Sequence, residues 1–447
     1  METKQPNTSL YRTIWRWHFY AGIIFAPFLI ILAVTGSIYL FKTQIEQVLY
    51  QDYQEVTPQG DELPASQQIE KVKKLYPDAV VTKYHPGENP SRSSEISITT
   101  NNESLTIFID PYTGKSIGEL NDEDRIMNKI EEIHGELMAG TLGDRMVELA
   151  ACWALVLIVS GLYLWYPKNK LNLSGVLFPR INKGKNTFRR DLHAVPAFWI
   201  SGGMLFLIMT GLPWSGFWGS NFQSVATHSG FGYPPSIWIG SAPTSLIKTK
   251  DIADVPWAAE NLDVPISDIQ GFIPLSMDDV VTIANREGMH PSYSINIPQE
   301  PDGVYTLSAF PPQAQDEATI HIDQYSGAVL ADYRYDHYGL IGKIVAWGIT
   351  LHKGTQFGVI NQMISLLICL GIMLVAFSGF SLWWKRKPKK GLGAPKAPPI
   401  KNMKFFLFLL IGLGILFPLV GSSLIVVWLI DWLMIKRISV VKKFLNA

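Results

Sequence analysis

The sequence predicts an α-helical integral membrane protein: four core spans from an internal duplication, a C-terminal helical hairpin, and two small α+β domains outside the spans. Three observations predict this fold class. Hydrophobic residues make up 47% of the 447 residues and charged residues only 17%, against about 25% in soluble proteins. At least four stretches reach the ~20 apolar residues that a membrane-spanning helix needs. Residue patterns also recur at equal spacing in the two halves of the chain.

Four histidines show the duplication. Each precedes a hydroxyl residue followed by glycine, at a spacing that recurs in the other half of the chain. The glycine comes 18 residues after the histidine from His18 to Gly36 and from His193 to Gly211, and 27 residues after it from His134 to Gly161 and from His352 to Gly379. Because each copy crosses the membrane twice, both copies have the same orientation, and an axis along the membrane normal should relate them.

Charge segregation predicts the topology. The stretch from Pro167 to Leu192 carries seven Lys/Arg and one acid, and the stretch from Lys385 to Lys404 carries eight Lys/Arg and no acid. The positive-inside rule therefore predicts both termini and both basic loops in the cytoplasm, with the two long segments on the other side. No cleavable signal is evident, so the first span is expected to act as a signal anchor.

Each long outer segment predicts a helix followed by strands and a tight turn. The predicted elements are a helix at Ser66–Tyr76 with strands at Ser94–Thr99 and Ser104–Asp110, and a helix at Met277–Glu287 with strands at Gly303–Ala309 and Ala318–Asp323. The turn reads Asp-Pro-Tyr-Thr-Gly in the first copy and Asp-Gln-Tyr-Ser-Gly in the second.

The apolar run from Phe405 to Ile435 is too long for one straight span. As a single helix it would measure roughly 45 Å, against a hydrocarbon core of about 30 Å. Pro418 and Gly421 lie in its middle. The sequence therefore predicts two short helices that fold back to the cytoplasm.

The four repeated histidines are the candidate functional residues. The other five, for which surface or turn placement is expected, are His85, His228, His290, His321 and His337. His18 and His193 open the first and third spans at the cytoplasmic level, and His134 and His352 precede the second and fourth on the outer side. Two imidazoles at each level can clamp a haem iron axially, once near each face. The alternative is interface histidines bonded to headgroups or carbonyls; the matched spacing favours haem.

These motifs resemble known families. The outer segments, with their turns at 109–114 and 322–327, resemble PepSY domains, although Gln324 stands where the first copy has Pro111. The spans resemble the PepSY-associated transmembrane helix family on the four histidines, their hydroxyl–glycine pairs, and the Leu-Trp pairs at 164–165 and 382–383. Members of that family include bacterial inner-membrane ferric-siderophore reductases, which carry two b-type haems.

The resemblance implies a di-haem b electron-transfer protein of the bacterial inner membrane that reduces ferric siderophore to release iron. His18 and His193 would be the axial ligands of the cytoplasmic-side haem, and His134 and His352 those of the periplasmic-side haem. No residue is assigned as catalytic. The chain has no Gly-rich dinucleotide fingerprint and no flavin domain, so a cytoplasmic reductase or a quinol must donate the electrons. Membrane lipid is an expected partner; nucleic acid is not.

The chain then divides into ten segments. They are the cytoplasmic N-terminus and first span (1–41), the first PepSY-like periplasmic domain (42–122), an interfacial helix and second span (123–166), a basic cytoplasmic loop (167–192), the third span (193–216), the second PepSY-like periplasmic domain (217–336), an interfacial helix and fourth span (337–384), a basic cytoplasmic loop (385–404), the C-terminal hairpin (405–435) and a cytoplasmic tail (436–447).

Two other functions remain open at this stage. A cofactor-free PepSY sensor or protease regulator would be colourless and indifferent to substitution of the four histidines. A small-molecule transporter would fit the parallel repeats, but spans one to four hold no charge near their centres to bind an ion or substrate.

Overall fold

The computed structural model describes residues 8–100, 103–167, 174–229, 231, 244–268, 273–389, 391–395, 404–435 and 437–445. The chain divides into two compact units. The helical unit comprises Met1–Leu40, Glu131–Ser220 and Met363–Ala447, and the sheet unit comprises Phe41–Ile130 and Asn221–Gln362.

Along the described residues, groups of α-helices alternate with groups of β-strands. The helices are α1 (Thr8–Tyr39), α2 (Lys42–Leu49), α3 (Gln51–Gln54), α4 (Ala65–Leu75), α5 (Ile126–Glu136), α6 (Gly140–Trp165), α7 (Lys185–Gly211), α8 (Trp218–His228), α9 (Met277–Arg286), α10 (Leu340–His352), α11 (Val359–Arg386), α12 (Lys404–Leu416), α13 (Pro418–Ile430) and α14 (Ser439–Leu445). The strands are β1 (Val80–His85), β2 (Ser94–Thr100), β3 (Glu103–Ile109), β4 (Ser116–Asn121), β5 (Thr244–Lys248), β6 (Asp263–Pro265), β7 (Tyr293–Asn296), β8 (Val304–Ala309), β9 (Ala318–Asp323) and β10 (Val329–Arg334).

Five of the described helical stretches are long and apolar enough to cross a membrane. They are Leu10–Tyr39, Gly140–Trp165, Lys185–Trp214, Val359–Arg386 and Pro418–Ile435. The first four correspond to the predicted core spans, but the helices continue beyond them. α1 begins at Thr8 and α7 at Lys185, so His18 and His193 lie inside helices rather than at their first turns. Hydropathy marks where the apolar stretch ends, whereas the helices continue through the basic residues before it.

Aromatic and small side chains pack the helical unit. Trp153 of α6 stacks against Trp17 and Phe25 of α1, with ring centroids 6.2 and 5.5 Å apart. Its indole nitrogen donates a hydrogen bond of 3.1 Å to Ser423 Oγ on α13. Ala21 is buried beside them, and small residues of this kind let apolar helices approach closely.

The C-terminal run is a hairpin, as predicted. α12 ends at Leu416 and α13 begins at Pro418, which has no backbone N–H to continue the first helix. Gly414 and Gly421 meet where the two helices cross. A Cβ atom built on Gly414 would lie 3.0 Å from Gly421 Cα, a distance that a straight helix could not give for residues seven apart.

The sheet unit is built on one eight-stranded antiparallel sheet, in the order β10-β9-β8-β7-β1-β2-β3-β4. The prediction of two separate α+β domains is corrected here: each copy contributes four strands to this shared sheet. β1 and β7, the first strand of each four, pair through Tyr84 opposite Ile295 and Lys83 opposite Asn296. An open strand edge is a site for pairing, and each copy closes the edge of the other.

The helices beside the sheet repeat the same relation between the copies. α4 packs against α9, and the Asp278 carboxylate accepts hydrogen bonds from the backbone N–H and hydroxyl of Ser66, at 2.9 and 2.5 Å. Apolar residues of both copies form one continuous core between helices and strands. Its fully buried members include Ile96, Ile98, Ile107, Ile109, Ile295, Leu307, Ile320 and Ile322.

The two predicted turns have the same geometry in both copies. Asp110 Oδ1 accepts from the N–H of Tyr112, and Asp323 Oδ1 accepts from the N–H of Tyr325, at 2.9 and 3.0 Å. The following glycines, Gly114 and Gly327, have φ of +68° and +71°, a conformation that glycine adopts without steric cost. Gln324 stands at the position of Pro111, and its Nε2 lies 2.7–3.0 Å from three backbone carbonyl oxygens in the loop between β7 and β8.

His321 contradicts the expectation of surface placement. It is completely buried in β9, with Nδ1 3.0 Å from Thr306 Oγ1, and burial lowers its pKa to about 4. Both faces of β9 are covered, so period-two alternation carried no sign of its burial. By contrast, His337 is exposed, and His85 and His290 are partly buried. The His228 side chain lies outside the described residues.

Glu317, just before β9, should make stability depend on pH. It is 2% exposed, and burial, opposed by the positive charge of Lys353, raises its pKa to about 8. When the pKa of a carboxyl group is higher in the folded than in the unfolded protein, the free energy of unfolding falls as pH rises from the unfolded-state pKa towards the folded-state pKa. We expect Glu317→Gln to raise stability at pH 8 by about 4 kcal/mol and to change little at pH 4.5.

The measurement is the apparent melting temperature of the detergent-solubilised protein between pH 4.5 and 8. Glu300→Gln, at an exposed site, is the matched control and should follow the wild-type profile. Parallel profiles for wild type and Glu317→Gln would contradict the prediction.

Candidate functional site

The structure brings His18 and His193 together. His18 lies on α1 and His193 on α7, so one comes from each copy of the repeat. Their ring centroids are 6.5 Å apart and their planes are inclined at 73°. Both rings lie within the helical unit.

Each of these imidazoles is hydrogen-bonded through Nδ1 to a neighbouring helix of its own copy. His18 Nδ1 is 2.8 Å from Ser160 Oγ on α6. His193 Nδ1 is 2.9 Å from the carbonyl oxygen of Val375 and 3.4 Å from Ser378 Oγ, both on α11.

His134, at the end of α5, follows the same rule, because its Nδ1 is 2.9 Å from Thr35 Oγ1 on α1. The hydroxyl–glycine pair that follows a given histidine in the sequence therefore contacts a different histidine in the structure. Thr35-Gly36 follows His18 along α1 but touches His134, and Ser160-Gly161 touches His18.

These hydrogen bonds determine which ring nitrogen carries the proton. The hydroxyl of Ser160 donates to its own helix, at the carbonyl of Val156 (2.6 Å), and that of Thr35 donates to Ile31 (2.8 Å). A hydroxyl has one proton to donate, so each oxygen accepts from the histidine. The Val375 carbonyl can only accept. The network therefore assigns the proton of His18, His134 and His193 to Nδ1 and leaves Nε2 with its lone pair.

Glycine makes room for each imidazole. A Cβ atom built on Gly161 would lie 3.2 Å from Cε1 of His18, and one built on Gly379 would lie 3.0 Å from Cε1 of His193. The equivalent distance from Gly36 to His134 is 3.3 Å. These separations are shorter than ordinary carbon–carbon contacts, so any larger residue would displace the ring. The spacing of residues along the chain gave no sign of these contacts between glycine and histidine.

The separation of the two rings fits one metal ion between them. A metal–imidazole bond is about 2 Å, and the ring centroid lies about 1 Å beyond the nitrogen, so opposite ligands of one ion have centroids about 6 Å apart. The observed 6.5 Å also lies in the range of an edge-to-face ring contact. Among the described residues, no group of three or more His, Cys, Asp or Glu could hold a metal ion. Two axial imidazoles suit haem, because the porphyrin supplies the other four ligands.

His352, unlike the other three repeated histidines, belongs to the sheet unit. It is the last residue of α10 and is half-buried in the sheet unit, whereas His134 belongs to the helical unit. Thr210, the repeat counterpart of Thr35, also donates to its own helix, at the carbonyl of Phe206 (2.8 Å). The pairing of His134 with His352 stays a prediction from the sequence repeat.

Buried acids fix both ends of α7. Near its start, Asp191 is 1% exposed and accepts two hydrogen bonds of 2.7 Å from the guanidinium of Arg180. Beyond its end, buried Glu148 accepts from the backbone N–H groups of Phe217 and Trp218, at 3.0 and 3.1 Å. Neither acid was predicted from the sequence to have a role. The signal for Asp191 was its isolation among seven basic residues.

Comparisons with known proteins agree with the histidine motifs. A search of curated proteins gives no match. The family described as "PepSY-associated TM region" matches residues 15–386, which include the four repeated histidines and their hydroxyl–glycine pairs and leave out the C-terminal hairpin. With five helices among the described residues that are long and apolar enough to cross a membrane, the chain is a multi-pass membrane protein, and it belongs to the family defined by the PepSY-associated transmembrane region.

Proposed function

We propose that the chain is a di-haem b transmembrane electron-transfer protein that reduces ferric siderophore, Fe(III) to Fe(II), to release iron. One observation supports the cofactor most directly. His18 and His193 come from different copies, their rings lie 6.5 Å apart, and in each ring Nδ1 is engaged and Nε2 is available to an iron.

The residues around the two rings prepare them as ligands. Hydrogen bonds from Nδ1 to Ser160 and Val375 fix the ring orientation and raise the basicity of Nε2. Gly161 and Gly379 let the rings lie against α6 and α11. His18 and His193 would hold a haem that supplies one-electron transfer, with no open position for oxygen or substrate.

The remaining assignments extend this proposal. By the sequence repeat, His134 and His352 would be the ligands of the second haem. The protein would lie in a bacterial inner membrane, with both termini cytoplasmic and the PepSY-like segments periplasmic, as the charge distribution favours. Electrons would come from a cytoplasmic reductase or a quinol. Siderophores bind iron through hard oxygen ligands that hold Fe(II) less tightly than Fe(III), so reduction releases the metal.

The absorption spectrum of the detergent-solubilised protein, oxidised and dithionite-reduced, tests the cofactor. We expect two low-spin b-type haems per chain. His18→Ala and His193→Ala should each remove the same haem, so the double variant should lose no more than either single variant. His134→Ala should remove the other. His337→Ala, at an exposed site, is the control. A colourless wild-type protein, or full haem content in His18→Ala and His193→Ala, would refute the proposal.

The glycine contacts give an independent test of the ligand geometry. Gly161→Val and Gly379→Val should displace the imidazoles of His18 and His193 at an overpacking cost of about 1–3 kcal/mol, and so lower the occupancy of their haem or make it partly high-spin. Gly22→Val on α1 is the matched control, because nothing lies within 4 Å of a Cβ built there. Wild-type spectra for both test variants would contradict the proposed ligation.

The substrate is tested by anaerobic mixing of the dithionite-reduced protein with a ferric siderophore and an Fe(II)-specific chelator. We expect oxidation of the haems together with one Fe(II) trapped per electron delivered. Iron-free siderophore and the His18→Ala/His134→Ala variant are the controls. Haem that stays reduced while ferric siderophore is in excess would exclude this substrate.

A further inference from the structure

A basic cavity lies at the start of α7 and the end of α11, where both helices reach the predicted cytoplasmic side. Its volume is ≈ 200 Å³, and it is lined by Asn186, Arg189, Leu382, Lys385 and Arg386. Three of these five side chains are cations and none is an acid. The lining therefore favours an anionic group.

The charges of this cavity are not neutralised within the part of the chain that the structure describes. No ion pair within 4 Å involves Arg189, Lys385 or Arg386 there. The nearest acid in sequence, Asp191, is held by Arg180 and Arg190 instead. Cations grouped in this way repel one another, and a bound anion would remove that repulsion.

The cavity shares its helix faces with the His193 site. Arg189 precedes His193 by four residues on α7, and Leu382 follows Ser378 by four residues on α11. Residues four apart lie on one face of a helix, about 6 Å apart along its axis. Lys385 and Arg386 lie about one turn further along α11. The basic cavity is therefore one to two turns beyond the point where His193 meets Ser378, towards the ends of both helices.

We infer that this cavity binds the propionate carboxylates of the haem held by His18 and His193. The inference rests on the proposed function. Haem carries its two propionates on one edge of the porphyrin, so a ring held at His193 can direct that edge along α7 and α11 to the aqueous boundary. Arg189 and Arg386 can bind a carboxylate through two parallel N–H groups, and Lys385 supplies a third charge. Leu382 offers an apolar contact to the porphyrin edge.

The phosphate of an anionic lipid headgroup has related chemistry, and basic pockets between spanning helices bind such headgroups. The position on the histidine face favours the propionates, because a lipid site would require no alignment with His193. The cations would also favour the form of the haem that carries one more electron. Their removal should therefore lower its midpoint potential.

The test compares haem b with its dimethyl ester, whose propionates are uncharged. The full-length His134→Ala protein, which is expected to keep only the His18–His193 haem, is prepared without haem in membranes and titrated with each form. We expect it to bind haem b at least about tenfold more tightly than the ester, as for one hydrogen bond to a charged group. In Arg189→Gln and Arg386→Gln the ratio of the affinity for haem b to that for the ester should fall towards one, while the affinity for the ester stays unchanged. The midpoint potential of the haem should also fall in these variants.

Lys389→Gln, an exposed cation outside the lining, is the matched control and should keep the preference. Arg189→Lys keeps the charge and should retain most of it, which separates a binding effect from misfolding. Equal binding of both forms by the His134→Ala protein, or an unchanged preference in the glutamine variants, would overturn the inference. Loss of co-purified anionic lipid with an intact haem preference would assign the cavity to lipid. A wild-type chain that binds neither form would instead overturn the proposed function itself.

Discussion

A serine or threonine hydroxyl inside an apolar helix donates its only proton to the carbonyl one turn earlier, and the histidine site depends on this constraint. The hydroxyls of Thr35, Ser160 and Thr210 all donate in this way. In two of these cases the oxygen lies 2.8 and 2.9 Å from a histidine Nδ1, and because its own proton is already used, it accepts from that nitrogen. A hydroxyl on one helix thus fixes the tautomer of a ring on its neighbour. Glycine directly after the hydroxyl gives that ring the space it needs.

Each histidine ring is oriented by a helix of its own copy, whereas the pair of rings is formed by both copies together. Within the first copy, His18 is held by α6 and His134 by α1; within the second, His193 is held by α11. The approach of His18 to His193 joins the two copies. The sheet follows the same plan, because each copy supplies four of its strands and, among the described strands, β1 and β7 are the pair that joins the copies. Each copy thus forms its own strands and orients its own histidines, whereas the His18–His193 pair and the eight-stranded sheet require both copies.

Sequence patterns predicted the features that are local in the chain. The spans follow from apolar length, the hairpin from Pro418, and the two turns from the Asp-x-Tyr-hydroxyl-Gly pattern, which the structure confirms. The four histidines were identified by spacing. Spacing along one helix does not give the rotation of that helix against its neighbour, so the contact of Ser160 with His18 could not be read from the sequence.

Features that depend on neighbours in the sheet were missed for a related reason. β1 and β7 are short, and which edge a strand meets depends on distant parts of the chain, so the shared sheet was not predicted. His321 was expected at the surface because one strand cannot reveal that both of its faces are covered. These errors concern tertiary burial rather than local propensity.

Two of the joints between the copies differ in their physical basis, and this difference has a consequence for a cofactor. In the sheet, β1 and β7 are joined by backbone hydrogen bonds that the chain supplies itself. In the helical unit, His18 and His193 approach with both Nδ1 atoms already engaged on other helices, so no hydrogen bond of their own joins the rings through those atoms. A ligand held by both Nε2 atoms would supply that joint. Because such a ligand would bind only the folded arrangement, its binding free energy would add to the stability of the helical unit, and the same two residues would stabilise the association of the two copies.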